Sequence, residues 1–259
     1  MEAYKEMMYM SKAIYKYTQD QIQLGFQYHN QLIIEKETDF IFNKLITSMV
    51  TFFQDKIDGI KISNSGFAFS SEYLFSDKHK NNLFKWLNRL VEMKLPATDL
   101  EFGKIKIDFE NWYYQLGGEH IEFIYQDSYL LTPQEAATAL GVSKVTLNKY
   151  IKQGLECLEN GSHNKIPKYT VEVMRDPIYS IRMQALAQEK KIRNQTPAER
   201  YVEINQELSE LQLKYKTASF AEAFRSYDGD EMDDPTDYYR WKDLLEEMED
   251  ILKLGGGGV

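Results

Sequence analysis

Between Thr132 and Leu155 the chain must end one helix and begin another with almost no residues to spare. Thr132-Pro133-Gln134-Glu135 opens the first. A threonine cap, a proline where no N–H is needed and a glutamate able to reach back form a helix start. Gly141 supplies the left-handed conformation that ends this helix, and Ser143 caps the next by accepting a backbone hydrogen bond. Ala136 and Ala137 permit the close crossing that so short a turn demands, with Leu140 beside them. Val142 fills the corner, and Leu147 and Ile151 face inward.

With Leu147 and Ile151 buried, the second helix turns Lys144, Val145, Asn148, Lys149 and Lys152 outward. These groups suit a DNA groove: Asn can bond an adenine edge in bidentate fashion, Val can touch a thymine methyl, and Lys can reach guanine acceptors or phosphates. An ordinary helical hairpin with a solvated lysine face has the same pattern, but here cap, alanine pair, turn glycine and basic face occur in register. Downstream, Leu155-Glu156-Cys157-Leu158 and Lys165-Ile166-Pro167 flank an Asn160-Gly161 hairpin signal. A small β wing is expected, its tip setting His163, Asn164 and Lys165 against a phosphate or the minor groove while Glu156 and Glu159 point away.

The stretch VSKVTLNKYIKQGL resembles the second helix of MerR and excisionase-type winged helix-turn-helix domains. Val142, Ser143, Thr146, Leu147, Tyr150, Gly154 and Leu155 carry the resemblance, which covers about a sixth of the 259 residues. It implies DNA-backbone contacts near Ser143, Thr146 and Tyr150 and base contacts from the Lys144 to Lys149 face. MerR proteins usually have Arg and Tyr where Asn148 and Lys149 stand, so the operator is not inherited from the family. More weakly, Ser219, Phe220, Phe224, Asp237 and Trp241 resemble small bacterial toxin-antitoxin partner proteins; a helical dimerisation element with an aromatic core fits the same residues.

The rest of the chain is expected to be α+β and predominantly helical. Hydrophobic residues make up 43% and aromatics 14%, enough to bury real cores. Residues 39–56 and 80–93 read as amphipathic helices. Alternation at Ile105, Ile107, Phe109 and at Ile121, Phe123, Tyr125, together with the KISNSGFAFS stretch, reads as strands. The expected domains are an α+β sensor or partner-binding domain over 1–128, a winged helix-turn-helix over 129–175, a helical dimerisation or partner-binding region over 176–253 and a glycine-rich flexible tail over 254–259. Further helix starts occur at Asp176-Pro177, Thr196-Pro197 and Asp234-Pro235. Tyr201, Ile204, Leu208, Leu211 and Tyr215 form one apolar seam; Tyr238, Trp241, Leu245, Met248 and Leu252 form another, for packing within the monomer or across a dimer.

The net charge of −9 is uneven. Residues 1–131 hold 14 Lys and Arg against 18 Asp and Glu, residues 132–169 hold 5 against 3, and residues 170–259 hold 12 against 19. Only the middle is basic, so phosphate attraction would be local. Charged residues within the first sixteen make a signal peptide unexpected there, and no apolar run reaches membrane-spanning length. The single Cys157 excludes an internal disulfide. Asp228, Asp230, Asp233 and Asp234 lack calcium-loop spacing; His29, His79 and Glu119-His120 lack zinc spacing; no catalytic set, metal site or cofactor is expected. The expected protein is a cytoplasmic, homodimeric regulator of double-stranded DNA, a repressor, with an effector or protein partner at the N-terminal domain. Two alternatives use the same residues: an antitoxin-like partner binder that autoregulates, and an architectural or excision factor of a mobile element.

Overall fold

Helix-forming segments with strong local caps dominate the chain. The computed structural model describes residues 12–63, 67, 69–92, 97–160, 163–225 and 235–255. The chain divides into two compact units, Met1–Lys190 and Lys191–Val259. Among the described residues both are built mainly of helices, with two small antiparallel sheets in the first.

The first unit begins with α1 (Lys12–Gln27), α2 (Gln31–Phe52), β1 (Ile57–Ile62), α3 (Ser71–Leu74), α4 (Asp77–Glu92) and α5 (Asp99–Gln115). Strand β2 (Ile121–Tyr125) pairs antiparallel with β1, Ile62 opposite Ile121 and Ile57 opposite Tyr125. A 3-10 turn, Asp127–Tyr129, leads into β3 (Leu130–Leu131), α6 (Pro133–Leu140), α7 (Lys144–Lys152), β4 (Leu158–Asn160), β5 (His163–Pro167), α8 (Lys168–Met174) and α9 (Pro177–Asn194), of which the residues up to Lys190 belong to this unit. One hydrophobic core runs from Ile22 to Leu186. The stretch expected to be a separate N-terminal domain therefore shares its core with the stretch holding the two short helices.

The expected strand over Ile105, Ile107 and Phe109 is instead the middle of α5. A helix buried nearly all round shows no clear apolar stripe, and α5 buries Phe102, Gly103, Lys106, Ile107, Asp108, Phe109, Glu110, Trp112, Tyr113 and Tyr114. The local signal for helix was the capping box: Thr98 accepts from the Glu101 N–H, and the Glu101 carboxylate accepts from the Thr98 N–H. The alternating charges of α5 have a tertiary purpose. In a helix Lys104 and Asp108 share one ridge, as do Lys106 and Glu110. Lys104 pairs with Asp176 at 2.7 Å. Asp108, 5% exposed, takes Lys85, Arg89 and Arg182 at 2.9 to 3.0 Å. The strand expected within KISNSGFAFS lies earlier, as β1; residues 64–66 and 68 fall outside the described residues.

In the second unit α10 (Pro197–Tyr215), α11 (Phe220–Ala223) and α12 (Thr236–Gly255) close a core of Ile204, Leu208, Leu211, Phe224, Trp241 and Leu244. The two seams thus pack against each other inside one chain, with Tyr215, Leu245 and Met248 half-buried at the margin. Tyr201 is also half-buried. On α12 the inward residue of the last turn is Ile251, whereas Leu252, expected in the seam, is 54% exposed. The rings of Phe220, Phe224, Tyr238 and Trp241 cluster with centroids 5.1 to 6.1 Å apart, and Asp237 accepts from Tyr215 at 2.9 Å. Helix α12 includes Gly255; residues 256–259 of the glycine run, the Asp228, Asp230, Asp233 and Asp234 loop, and residues 1–11 lie outside the described residues.

Helix α5 meets α8 at Gly103, where an added Cβ would lie 2.6 Å from both Tyr169 Cδ2 and Val173 Cγ2. Both neighbours are fully buried. Gly103→Ala is expected to lower stability in urea unfolding by about 1–3 kcal/mol, the usual cost of overpacking; an unchanged midpoint would mean that the two helices can part freely.

Candidate nucleic-acid interface

The two short helices form as their caps dictate. Thr132 Oγ1 accepts from the Glu135 N–H, the Glu135 carboxylate accepts from the Thr132 N–H, and Pro133 is the first helical residue. Gly141 ends α6 at φ 70°, ψ 30°. A Cβ at Gly141 would meet nothing within 4 Å, so the requirement for glycine is conformational alone. Ser143 then caps α7, its Oγ 3.1 Å from the Thr146 nitrogen. Arg175, at the end of α8, donates to the Ala139 carbonyl at 2.7 Å, satisfying one of the last carbonyls of α6.

Ala136, Ala137 and Leu147 are buried, and Val142 and Ile151 are half-buried behind them. The opposite face of α7 stands in solvent: Lys144, Asn148, Lys149 and Lys152 are exposed and Val145 is 69% exposed. Ser143 is exposed at the N-cap, and Thr146 and Tyr150 are half-buried at the flanks. The side chains expected to touch bases therefore form one continuous surface on an anchored helix.

The strands around the two helices form a three-stranded antiparallel sheet in the order β3-β5-β4, whose β3 and β5 pack on α6. Leu158 faces Lys165, Glu159 faces Asn164 and Asn160 faces His163, while Leu131 faces Ile166 on the other edge. The hairpin tip, Gly161 and Ser162, lies outside the described residues. Asn164 is exposed and Lys165 half-buried; His163 is placed by its backbone at the tip end of β5. Glu156, expected to point away from DNA, turns into the protein.

There Glu156 meets the ridge of α5. Its carboxylate accepts from Lys106 Nζ at 2.7 Å, from the Tyr125 hydroxyl at 2.7 Å and from the Tyr169 hydroxyl. Lys106 also binds Glu110 at 3.0 Å, both side chains being 1% exposed, and Glu110 takes Lys190 at 2.8 Å. Burial alone would raise the Glu156 pKa, but the charges of Lys106 and Lys190 with the Lys106 and Tyr169 hydrogen bonds hold it down to about 2. Burial and the neighbouring Glu156 charge push the Tyr125 and Tyr169 phenols well above their usual value, so both remain donors. Sequence reasoning missed this network because its members come from α5, β2, α8, α9 and the connection after α7.

Among the described residues no three His, Cys, Asp or Glu side chains gather as metal ligands, and no helix is long and apolar enough to cross a membrane. Comparison with protein-family models, curated proteins and solved structures finds no match.

A carboxyl with a depressed folded pKa contributes stability that is present above its unfolded pKa and lost as the pH falls through its folded one. Glu156 should therefore give up its contribution between pH 4.5, its ordinary value, and about 2. Glu156→Gln is expected to be less stable than the parent at neutral pH, with the difference shrinking as the pH falls through that window. Urea unfolding at a series of pH values measures it, and a difference that grew on acidification would contradict the pairing.

Proposed function

We propose that this chain is a sequence-specific double-stranded DNA-binding protein that regulates transcription, with α7 entering the major groove and the β4–β5 hairpin lying along the adjoining backbone. The observation that carries the reading is the solvent-exposed face of Lys144, Val145, Asn148, Lys149 and Lys152 on a helix whose other face is fixed by Leu147. Asn148 and Val145 supply base-reading chemistry. The lysines supply phosphate attraction, which the acidic balance elsewhere in the chain keeps local.

Repression follows from simple occupancy of a promoter, and a pair of heads on one site would sharpen it. Two copies related by symmetry would place half-sites whole helical turns, about 34 Å, apart. Helix α9 offers a surface for such pairing. Ile178 and Ile181, three residues apart on one face of its first turns, are exposed by 63% and 67%.

The roles separate on mutation. On a duplex bearing the site protected in footprinting, Asn148→Ala is expected to lose about 1–3 kcal/mol of discrimination at a single base pair. Lys152→Ala is expected to weaken binding to every sequence and to reduce the salt slope by about one. Fluorescence anisotropy across a salt series and a set of single-base variants measures both; identical effects from the two substitutions would contradict the assignment.

A further inference from the structure

Behind α7 the first unit keeps a cavity of ≈ 260 Å³. Its apolar walls are Ile107 from α5, Ile151 from α7, Leu155, and Met183 and Leu186 from α9. Its polar side is the charge network: Glu110, Glu156, Tyr169 and Lys190 all reach it, with Cys157 at the edge. The volume falls just short of the ~300 Å³ at which pockets for drug-sized ligands begin, which suits a molecule of about one ring.

The network limits what such a molecule can be. Lys106 and Lys190 balance Glu110 and Glu156, so the site has no net charge to offer an ion. Glu156 is already occupied by Lys106, Tyr125 and Tyr169. Lys190 differs. Its side chain is 28% exposed and its ammonium gives one hydrogen bond, to Glu110, leaving donors for an acceptor in the cavity. An uncharged oxygen satisfies that donor without adding a buried charge.

We propose that this cavity is an effector site for a small, mainly apolar, uncharged molecule bearing a carbonyl-type oxygen that accepts from Lys190. The position of the cavity gives it a lever on α7. Ile151 belongs to α7 itself, and Gly154 to Cys157 connect that helix to β4. Gly154, at φ 112°, lies so close to α9 that an added Cβ would sit 2.8 Å from Ala187 Cβ and 3.0 Å from Gln184 Cα. An occupant that spreads α9 from this connection shifts the end of α7, and its differential affinity for the two positions sets how far DNA binding changes. The effect on DNA rests on the DNA-binding reading above; the binding itself does not.

The test uses the full chain labelled at its methionine methyl groups, with Met183 assigned by Met183→Leu, and benzamide as the uncharged probe against benzoate as the anionic one. A saturable shift of the Met183 methyl resonance with benzamide is expected, weakened about tenfold or more in Lys190→Met, with benzoate binding more weakly than benzamide. No saturable Met183 shift with either probe overturns the site, as does unchanged benzamide affinity in folded Lys190→Met; tighter binding of benzoate overturns the uncharged ligand class. Should Lys190→Met fail to fold, the titration of the parent chain still decides. On duplex DNA, saturating benzamide is expected to change affinity by about fivefold or more, and no change overturns the effector role. A Met183 shift in a chain that binds no duplex keeps the cavity site and retires the DNA reading, whereas duplex binding with no Met183 shift does the reverse.

Discussion

The placement of α7 depends on an ion pair between the buried Lys106 and the half-buried Glu156. A charge taken out of water is costly unless an opposite charge and hydrogen bonds meet it. Lys106 on α5 and Glu156 after α7 meet that condition only when the two are in contact, at 2.7 Å, with Tyr125 and Tyr169 closing the remaining valences. Apolar packing would hold α7 near α5 in many similar poses, because hydrophobic attraction has no direction. The charged pair and its hydrogen bonds select one. The neighbouring ridge acts in the same way, Asp108 drawing Arg182 and Lys104 drawing Asp176, so α8 and α9 are fastened to the same helix.

That arrangement separates two tasks along a single short helix. The inner face of α7 spends Leu147 and Ile151 on the core, and its outer face keeps Lys144, Asn148, Lys149 and Lys152 in water. Under the DNA-binding function proposed above, that outer face gains from a rigid support, since ordering its side chains on binding then costs less. The caps at Thr132 and Ser143, the left-handed Gly141 and the Arg175 contact to Ala139 supply that support locally. The α5 network supplies it at longer range. The cavity lies where these two supports meet, which is why a small occupant there would be felt by α7.

The parts of this fold that were legible in the sequence are those specified by neighbours in the chain. Capping boxes at Thr132 and Thr196, the turn at Gly141 and the hairpin signal at Asn160 act over a few residues, and each element stands where those signals put it. The helix over 99–115 was hidden because burial on all sides removes the apolar stripe, and because Ile105, Ile107 and Phe109 alternate as a strand would. The network around Glu156 was hidden for a different reason: Lys106 and Glu156 are 50 positions apart, and a lone glutamate near a wing reads as a surface charge. In the second unit both seams were visible, and Ile204, Leu208, Leu211, Trp241, Leu245 and Met248 pack as their spacing implied; only at the end of α12 does the register slip, Ile251 turning inward where Leu252 was expected.

The most direct measurement of the central claim is selection of bound duplexes from a fully randomised pool, run in parallel with the parent chain and with Asn148→Ala. The account predicts that the parent enriches a defined sequence, and that the variant enriches the same sequence with the preference erased at one position in each half-site. Retention of random duplexes without enrichment, or an identical preference from both chains, would contradict it.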